Sequence, residues 1–483
     1  MDKKSTNLKT RIRNSFYWLT GLTFIGQSIT WLVTIVVIRL LKPQDYGLMA
    51  MAMVFMSFLA LLNEVGLGTA IIQKEKVTDQ EIEKIFGFIL VVNIGFIFVV
   101  YSSAPLVAGF FKTNELIFIL RLLSINFILT AVFVVPQSIL MREFEFRRKS
   151  SIDLFGNMIS SAIVLSMAWR SYGVLSLVMG MIGMNFFKAI AFNSVKKYRY
   201  RPSFNFKGIR QLLKFGGYVT ATRILWYFYS QSDIIVGGRI FGKELLGVYS
   251  VAMNLVSIPL NKLSPLFIQI GLPAFSQIQD NIKTIQYNFL MILRILNLLS
   301  FPIFFGLAFI AQDAVSVVLG NKWEGTVLPM QLLSMVMPLR FISMIFPPVV
   351  TGRGHPEIIT GNMIYAIIIM PLSFYIGSHW GINGLCYAWI TTFPILFAIM
   401  FKRTFKVLEL PLSVLFGTLW IPLIGTGIMA AGMLTIKINL SMFLSPLLIL
   451  TFMITVSIIL YCSTVFIVDR KLYAEIYFFF SKD

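Results

Sequence analysis

Five basic residues lie inside long apolar runs of this chain: Arg121, Arg223, Lys262, Arg294 and Arg340. Two acids, Glu64 and Asp233, do the same. An ionised side chain in hydrocarbon is costly, and such residues face a bundle interior or a wet cavity. Five cations against two anions leave an interior excess of three positive charges. That excess is the reason to expect an anionic ligand, to which guanidinium and ammonium groups give charge-assisted hydrogen bonds.

Depth along each run, at about 1.5 Å per residue, groups these residues further. Arg223 and Arg294 lie about two turns in from the basic ends of the seventh and ninth runs. Lys262 and Glu64 reach the same third from the eighth and second. Arg340 is near the middle of the tenth run, and Asp233 is in the opposite third of the seventh. Arg223, Lys262, Arg294 and Arg340 are therefore the candidate substrate-binding residues. Glu64 and Asp233 are the ion-coupling candidates, since an occluded carboxylate can change its charge. Gln27, Asn63, Gln231, Asn254 and Asn261 either line the same space or bond between helices; Asn254 and Asn261, a heptad apart, share a face. Arg39, Arg121 and Arg239, nearer run ends, read as snorkelling cations. Asp153, opening the fifth run, reads as a helix N-cap.

The elements that must position these residues are membrane helices. The chain has 483 residues, of which 57% are hydrophobic and 13% charged. Mean hydropathy is +0.81. Candidate spans fall at about 16–41, 47–72, 85–108, 116–140, 152–169, 172–192, 215–240, 245–270, 287–311, 326–350, 358–377, 382–401, 410–434 and 442–468. Each is near the roughly 20 residues a helix needs to cross. Barrel strands would alternate with period two over about ten residues, which these runs do not. The expected fold is an all-α polytopic membrane protein with about 14 transmembrane helices. The eighth span is expected to break at Pro259 and Pro265, and Pro302 and Pro371 to kink theirs.

With a cytoplasmic N-terminus, 28 of the 41 Lys and Arg residues fall in cytoplasmic segments, 8 in outside loops and 5 within spans. That bias follows the positive-inside rule and puts both termini in the cytoplasm of a cytoplasmic-membrane protein. Residues 188–217 alone carry eight basic residues and no acid, a cytoplasmic linker. The net charge of +20 is thus a matter of topology and lipid headgroups, not of nucleic acid. Trp169, Trp323 and Trp380 near outer ends and Trp18 near an inner one suggest an interfacial belt.

A repeat is offset by 200 residues: Ile35, Val36, Arg39, Gly47, Ala52 and Met53 match Ile235, Val236, Arg239, Gly247, Ala252 and Met253. It aligns the first two spans with the seventh and eighth, so two six-helix halves share one orientation. Parallel repeats are a transporter pattern. The expected domains are an N-terminal bundle 1–192, a linker 193–214, a C-terminal bundle 215–405, and two additional helices with a tail at 406–483.

No G-x-x-x-x-G-K-[ST] motif is present, which argues against direct ATP drive. GGRIFG at 237–242 lacks a dinucleotide spacing. Cys386 and Cys462 lie in apolar runs, and His355 and His379 in opposite loops, so neither a disulfide framework, a metal site nor a catalytic pair is expected. No cofactor is expected; a proton or sodium gradient is the candidate drive. The first apolar run is too long for a cleaved signal peptide.

Several stretches resemble polysaccharide exporters: RLLKPQDYGLMAMA at 39–52, NEVGLGTAIIQKE at 63–75, PLNKLSPLFIQIGLPAFSQIQDN at 259–281 and LGNKWEGTVLPMQLL at 319–333. The last two are similar to the colanic-acid-exporter type of Wzx flippase. That group is the polysaccharide transport branch of the multidrug/oligosaccharidyl-lipid/polysaccharide (MOP) exporter superfamily. The resemblance covers about residues 10–410. It implies a MATE-like fold of two six-helix bundles, alternating access and a cationic central cavity. The implied substrate is an undecaprenyl-diphosphate-linked oligosaccharide repeat unit for lipopolysaccharide or exopolysaccharide synthesis. The implied partners are that lipid, the bilayer, and a polysaccharide polymerase with its chain-length machinery. Glu64 and Lys262 sit inside the matched stretches.

Two rivals stand beside a flippase. A cation-coupled multidrug exporter of the same superfamily should have more acid than base in its cavity. A membrane polymerase or ligase needs an acid–base pair in contact, which short outer loops disfavour. The topology predicts that single-cysteine variants within 196–214 and at either terminus escape a membrane-impermeant label applied to intact cells; labelling of the linker from outside would refute it.

Overall fold

The computed structural model describes Gly26 and residues 30–63, 78–195, 201–205, 209–440 and 444–468. Glu64, Gln27, most of the first span, both termini and parts of the linker lie outside the described residues. In chain order the helices are α1 (Thr30–Leu40), α2 (Pro43–Asn63), α3 (Asp79–Phe111), α4 (Glu115–Leu123), α5 (Ile125–Arg142), α6 (Phe146–Trp169), α7 (Val174–Val195), α8 (Ile209–Gln277) and α9 (Ile282–Ala314). They continue with α10 (Val327–Ile342), α11 (Phe346–Gly352), α12 (Pro356–Gly377), α13 (Ile382–Val407), α14 (Val414–Leu440) and α15 (Pro446–Val468). Eleven helical stretches are long and apolar enough to cross a membrane among the described residues. Each of the fourteen expected spans overlaps a helix once α1 and the two arms of α8 are included. The chain divides into two compact units, Met1–Gly247 and Val248–Asp483.

Helix boundaries follow local chemistry. At the start of α3, the Thr78 hydroxyl accepts the Glu81 N–H at 3.3 Å and the Glu81 carboxylate accepts the Thr78 N–H at 3.2 Å, a reciprocal capping box. Asn281 caps α9 by accepting the Thr284 N–H at 3.1 Å. Asp45, in the first turn of α2, accepts the Lys42 N–H at 2.9 Å and reaches across to the Val174 N–H, which opens α7, at 3.0 Å. Gly173 has φ +58°, and a Cβ there would lie 2.7 Å from the Asp45 carboxylate, so glycine is required on both counts.

The repeat is a physical contact in the first unit. Gly47 and Gly247 pack against each other: a Cβ on Gly47 would fall 1.7 Å from the Lys243 carbonyl, and one on Gly247 1.8 Å from that of Pro43. The break before α2 at Leu41–Lys42 has its counterpart at Gly242, where φ is +75° and α8 divides into arms 209–241 and 243–277. Gly242 is the one non-helical residue inside α8, so the helix runs through Pro259 and Pro265 instead of breaking there.

Other expectations are corrected. Asp153 lies seven residues inside α6, too far in to cap it. Its two oxygens instead accept Lys149 at 2.8 Å and Lys188, from α7, at 2.9 Å. Arg239 does more than snorkel: it donates to the carbonyls of Gly109 and Phe110, which end α3, and stands over the Phe110 ring. Trp323 is fully buried and so belongs to the core, whereas Trp169 and Trp380 are 80% and 66% exposed, as an interfacial belt requires. The linker is docked: the Ser203 N–H donates to the Glu83 carbonyl at 3.0 Å, and Gly87 leaves room for the Ser203 carbonyl, 2.2 Å from where its Cβ would be.

Close glycine contacts of this kind leave no space for a methyl group without backbone movement. Gly47→Ala or Gly247→Ala is therefore expected to cut the yield of monodisperse, detergent-extracted protein severely. Gly95→Ala, with nothing within 4 Å of the added carbon, is expected to leave it unchanged in the same size-exclusion measurement.

Candidate functional site

The best-defined charged site in the second unit is built around Arg340, near the end of α10. Pro347 and Pro348 lack the N–H groups that Ser343 and Met344 carbonyls would accept in a continuous helix. The chain tightens into a 3₁₀ turn over Ser343–Ile345 before resuming as α11. Pro338 adds a second irregularity within α10. Non-helical backbone at membrane depth is tolerated where protein buries it or where it lines a cavity.

Above this break the Arg340 guanidinium lies 4.4 Å from the ring centroid of Trp389, on α13. Its Nη1 is 3.6 Å from the Met253 sulfur and 3.8 Å from that of Met337. Among the described residues no carboxylate pairs with it. The platform beneath is rigid: Trp389 is 1% exposed, and its Nε1–H donates to the hydroxyl of fully buried Tyr249 at 3.0 Å. Phe374 and Phe393 hold the same indole, with ring centroids at 5.3 and 5.8 Å. An arginine at mid-membrane costs about 2.5–3.5 kcal/mol on insertion scales. A desolvated cation–π contact returns up to about 2 kcal/mol, and thioether sulfurs are weak acceptors. Among the described residues the charge is supported but not neutralised, and its donors remain suited to an anion.

The other candidates are placed as follows. Arg294, on α9, is exposed and lines a cleft of about 110 Å³ with Thr418, Trp420 and Ile421 of α14. It thus faces α14, while Arg340 rests on α13 and α8. Lys262, Asn254 and Asn261 are all exposed on the second arm of α8. Arg223 is exposed on the first arm, in the first unit. Asp233 on that arm is 3% exposed, and its carboxylate accepts the Ile234 N–H at 2.8 Å. Asn63 bonds between helices: its amide and that of Asn93 donate to each other at 2.9 and 3.1 Å. Arg121 stands 5.3 Å over the Tyr101 ring.

Trp389 and Tyr249 escaped the reading of the sequence. The available signal was position: Trp389 falls in the middle of a span, away from both interfaces, where an indole N–H needs a partner.

The family model described as "Polysaccharide biosynthesis protein" matches residues 36–328. The chain belongs to that family. Among curated relatives, it is 26% identical over 280 residues to the teichuronic acid biosynthesis protein TuaB of Bacillus subtilis, covering 58% of each chain. It is 22% identical over 331 residues to the lipopolysaccharide biosynthesis protein WzxC of Escherichia coli K12, covering 68% of this chain and 67% of that one. The matched part thus spans under three-fifths of TuaB and two-thirds of WzxC. Among solved structures, the lipid II flippase MurJ in an inward closed conformation is similar at a TM-score of 0.74 and 15% identity, covering 94% of this chain and 99% of that one. An inward-facing MATE transporter of the MOP superfamily is similar at 0.59 and 15% identity, covering 82% and 99%. These likenesses establish the expected fold.

The Arg340 site predicts a specific loss. Arg340→Ala is expected to weaken binding of farnesyl diphosphate, used as a probe, about 10- to 100-fold, the range for a lost charge-assisted hydrogen bond. Trp389→Leu should weaken it less and Met253→Leu hardly at all. Thermophoresis on detergent-purified protein checks this; an unchanged Kd in Arg340→Ala would make the arginine structural.

Proposed function

We propose that this chain is a flippase that moves undecaprenyl-diphosphate-linked oligosaccharide repeat units across the bacterial cytoplasmic membrane for surface polysaccharide synthesis. The observation that carries the proposal is Arg340: a cation at membrane depth, held by Trp389 and two methionine sulfurs and not matched by a carboxylate among the described residues. Such a group attracts a diphosphate and repels the cationic drugs of a multidrug exporter. Family membership supports the polysaccharide context, and the fold shared with MurJ, named a lipid II flippase, supports handling of a lipid-linked substrate.

In this reading Arg340 grips the diphosphate while the lipid chain stays in hydrocarbon. Arg223, Lys262 and Arg294 supply charge along the headgroup's path, with Asn254 and Asn261 offering hydrogen bonds to sugar hydroxyls. Alternating access moves the headgroup, and no bond in the substrate is made or broken. A proton or sodium gradient drives the cycle, sensed at Glu64 or Asp233. A polymerase and chain-length machinery then take up the delivered unit.

The test is transport in proteoliposomes with a fluorescent undecaprenyl-diphosphate oligosaccharide, read by quenching of the label in the outer leaflet. Wild type is expected to flip it without changing its chain length. Arg223→Ala and Arg294→Ala should slow flipping while protein levels hold. Glu64→Gln or Asp233→Asn should abolish the response to a pH or sodium gradient. Transport of ethidium in place of the lipid would favour the multidrug exporter, and lengthening of the glycan would favour a polymerase.

A further inference from the structure

Helix α14, outside the repeat, covers part of α9 that has a bare counterpart on α3. Helices α3 and α9 are each 33 residues long and start from the caps Thr78 and Asn281. Counted from those caps, Arg294 and Asn297 stand where α3 has Val91 and Ile94. Val91 and Ile94 are 45% and 43% exposed, the apolar outer surface of a membrane helix. On α9 the same positions are polar, and α14 packs beside them. Asn297 is fully buried and holds α14: its Nδ2 donates to the Thr418 hydroxyl at 3.0 Å and to the Thr418 carbonyl at 3.4 Å. Pro422, four residues on, has no N–H to give that carbonyl.

Arg294, one turn before Asn297, is not engaged in this way. It lines a cleft of about 110 Å³ with Gly417, Thr418, Trp420 and Ile421. Among the described residues nothing bonds to it or pairs with it. Asp313 is the only acid on α9, α10, α13, α14 and α15. It lies about 28 Å beyond Arg294 along α9, and it is bound by Lys437 at 3.0 Å. Arg294 therefore has neither the helix-end carbonyls that occupy Arg239 nor the ring that supports Arg340.

Position and size narrow the class of its ligand. The apolar stretch of α14 begins at Phe416. Thr418 is about 3 Å inside that stretch along the axis, so the cleft opens where hydrocarbon gives way to headgroups. Phe416 and Trp420, one turn apart on one face, are 74% and 47% exposed and continue the apolar wall outward. By volume the cleft holds roughly four waters, room for a phosphate but not for a sugar chain. A guanidinium donates to phosphate oxygens in pairs, and at this depth the molecules that carry phosphate are lipids.

We infer that the cleft between α9 and α14 holds the phosphate of a membrane lipid, with Arg294 as its donor and the lipid chains leaving past Phe416 and Trp420. The site does not depend on the transport reading, since a phospholipid and a polyprenyl phosphate both present the group it takes.

The test uses full-length protein, delipidated in detergent and offered phosphatidylglycerol, undecaprenyl phosphate or diacylglycerol, with adducts counted by native mass spectrometry. Wild type is expected to retain a phosphate-bearing lipid and not diacylglycerol. Arg294→Gln should weaken that retention about 10- to 100-fold, the range for a lost charge-assisted hydrogen bond. Gly417→Phe should remove the same adduct while leaving the charge in place, because a Cβ on Gly417 meets nothing within 4 Å and the added ring enters the open cleft. Equal retention of diacylglycerol overturns the site, as does undiminished retention in Arg294→Gln. Undiminished retention in Gly417→Phe makes Arg294 a snorkelling cation and overturns it too. An adduct lost in Arg340→Ala but kept in both cleft variants would put the lipid at Arg340 instead. Competition between the two phosphate lipids names the source: displacement of phosphatidylglycerol by equimolar undecaprenyl phosphate makes the cleft a station for the carrier lipid, and persistence makes it a phospholipid site. If Arg294→Gln does not accumulate, Gly417→Phe decides alone.

Discussion

A bare charge in hydrocarbon has to be held by something, and the chain's internal architecture follows from how each one is held. Asp153 is shared by two lysines. Arg239 is spent on the carbonyls that end α3. Arg121 rests on a tyrosine ring. For Asp153 and Arg239 an ion pair and a helix end absorb the cost, whereas Arg121 is exposed and has a ring for support. Arg340 differs in being half-buried: an aromatic ring and two sulfurs support its charge, and no carboxylate among the described residues pairs with it. Those partners are also what a binding arginine needs: they hold the guanidinium in place and leave its hydrogen-bond donors only weakly engaged.

Rigid support around one weakly engaged group is how a site keeps its geometry while its ligand comes and goes. Trp389 is clamped by the Tyr249 hydroxyl and by Phe374 and Phe393. The break between α10 and α11 lies beside it, imposed by consecutive prolines. The same economy operates at the helix contact of the repeat, where two glycines bring backbones together and no side chain intervenes.

The spans were legible because apolar run length is a one-dimensional property, and the family was legible from local stretches. The repeat was legible too, since glycines at equivalent positions mark backbone contact. What the sequence hid was azimuth and partnership. Asn63 had two readings until Asn93 was seen opposite it. Asp153 looked like a cap because the start of α6 was judged from hydropathy, which misses the polar first turns. Arg294 and Arg340 both lie well inside their spans, yet one faces α14 and the other α13. Depth can be counted along a chain, but the direction a residue faces is set by packing with residues far away in sequence.

The docked linker has a mechanical consequence. Ser203 is tied to the first turns of α3, and α8 begins at Ile209. Six residues of extended chain reach no farther than about 20 Å. The start of the longest helix among the described residues is therefore leashed to α3, whatever course the intervening residues take. A tether of that length permits a tilt or a slide but not a full separation, so it sets an upper limit on how far the N-terminal end of α8 can travel from α3 while the Ser203 contact lasts.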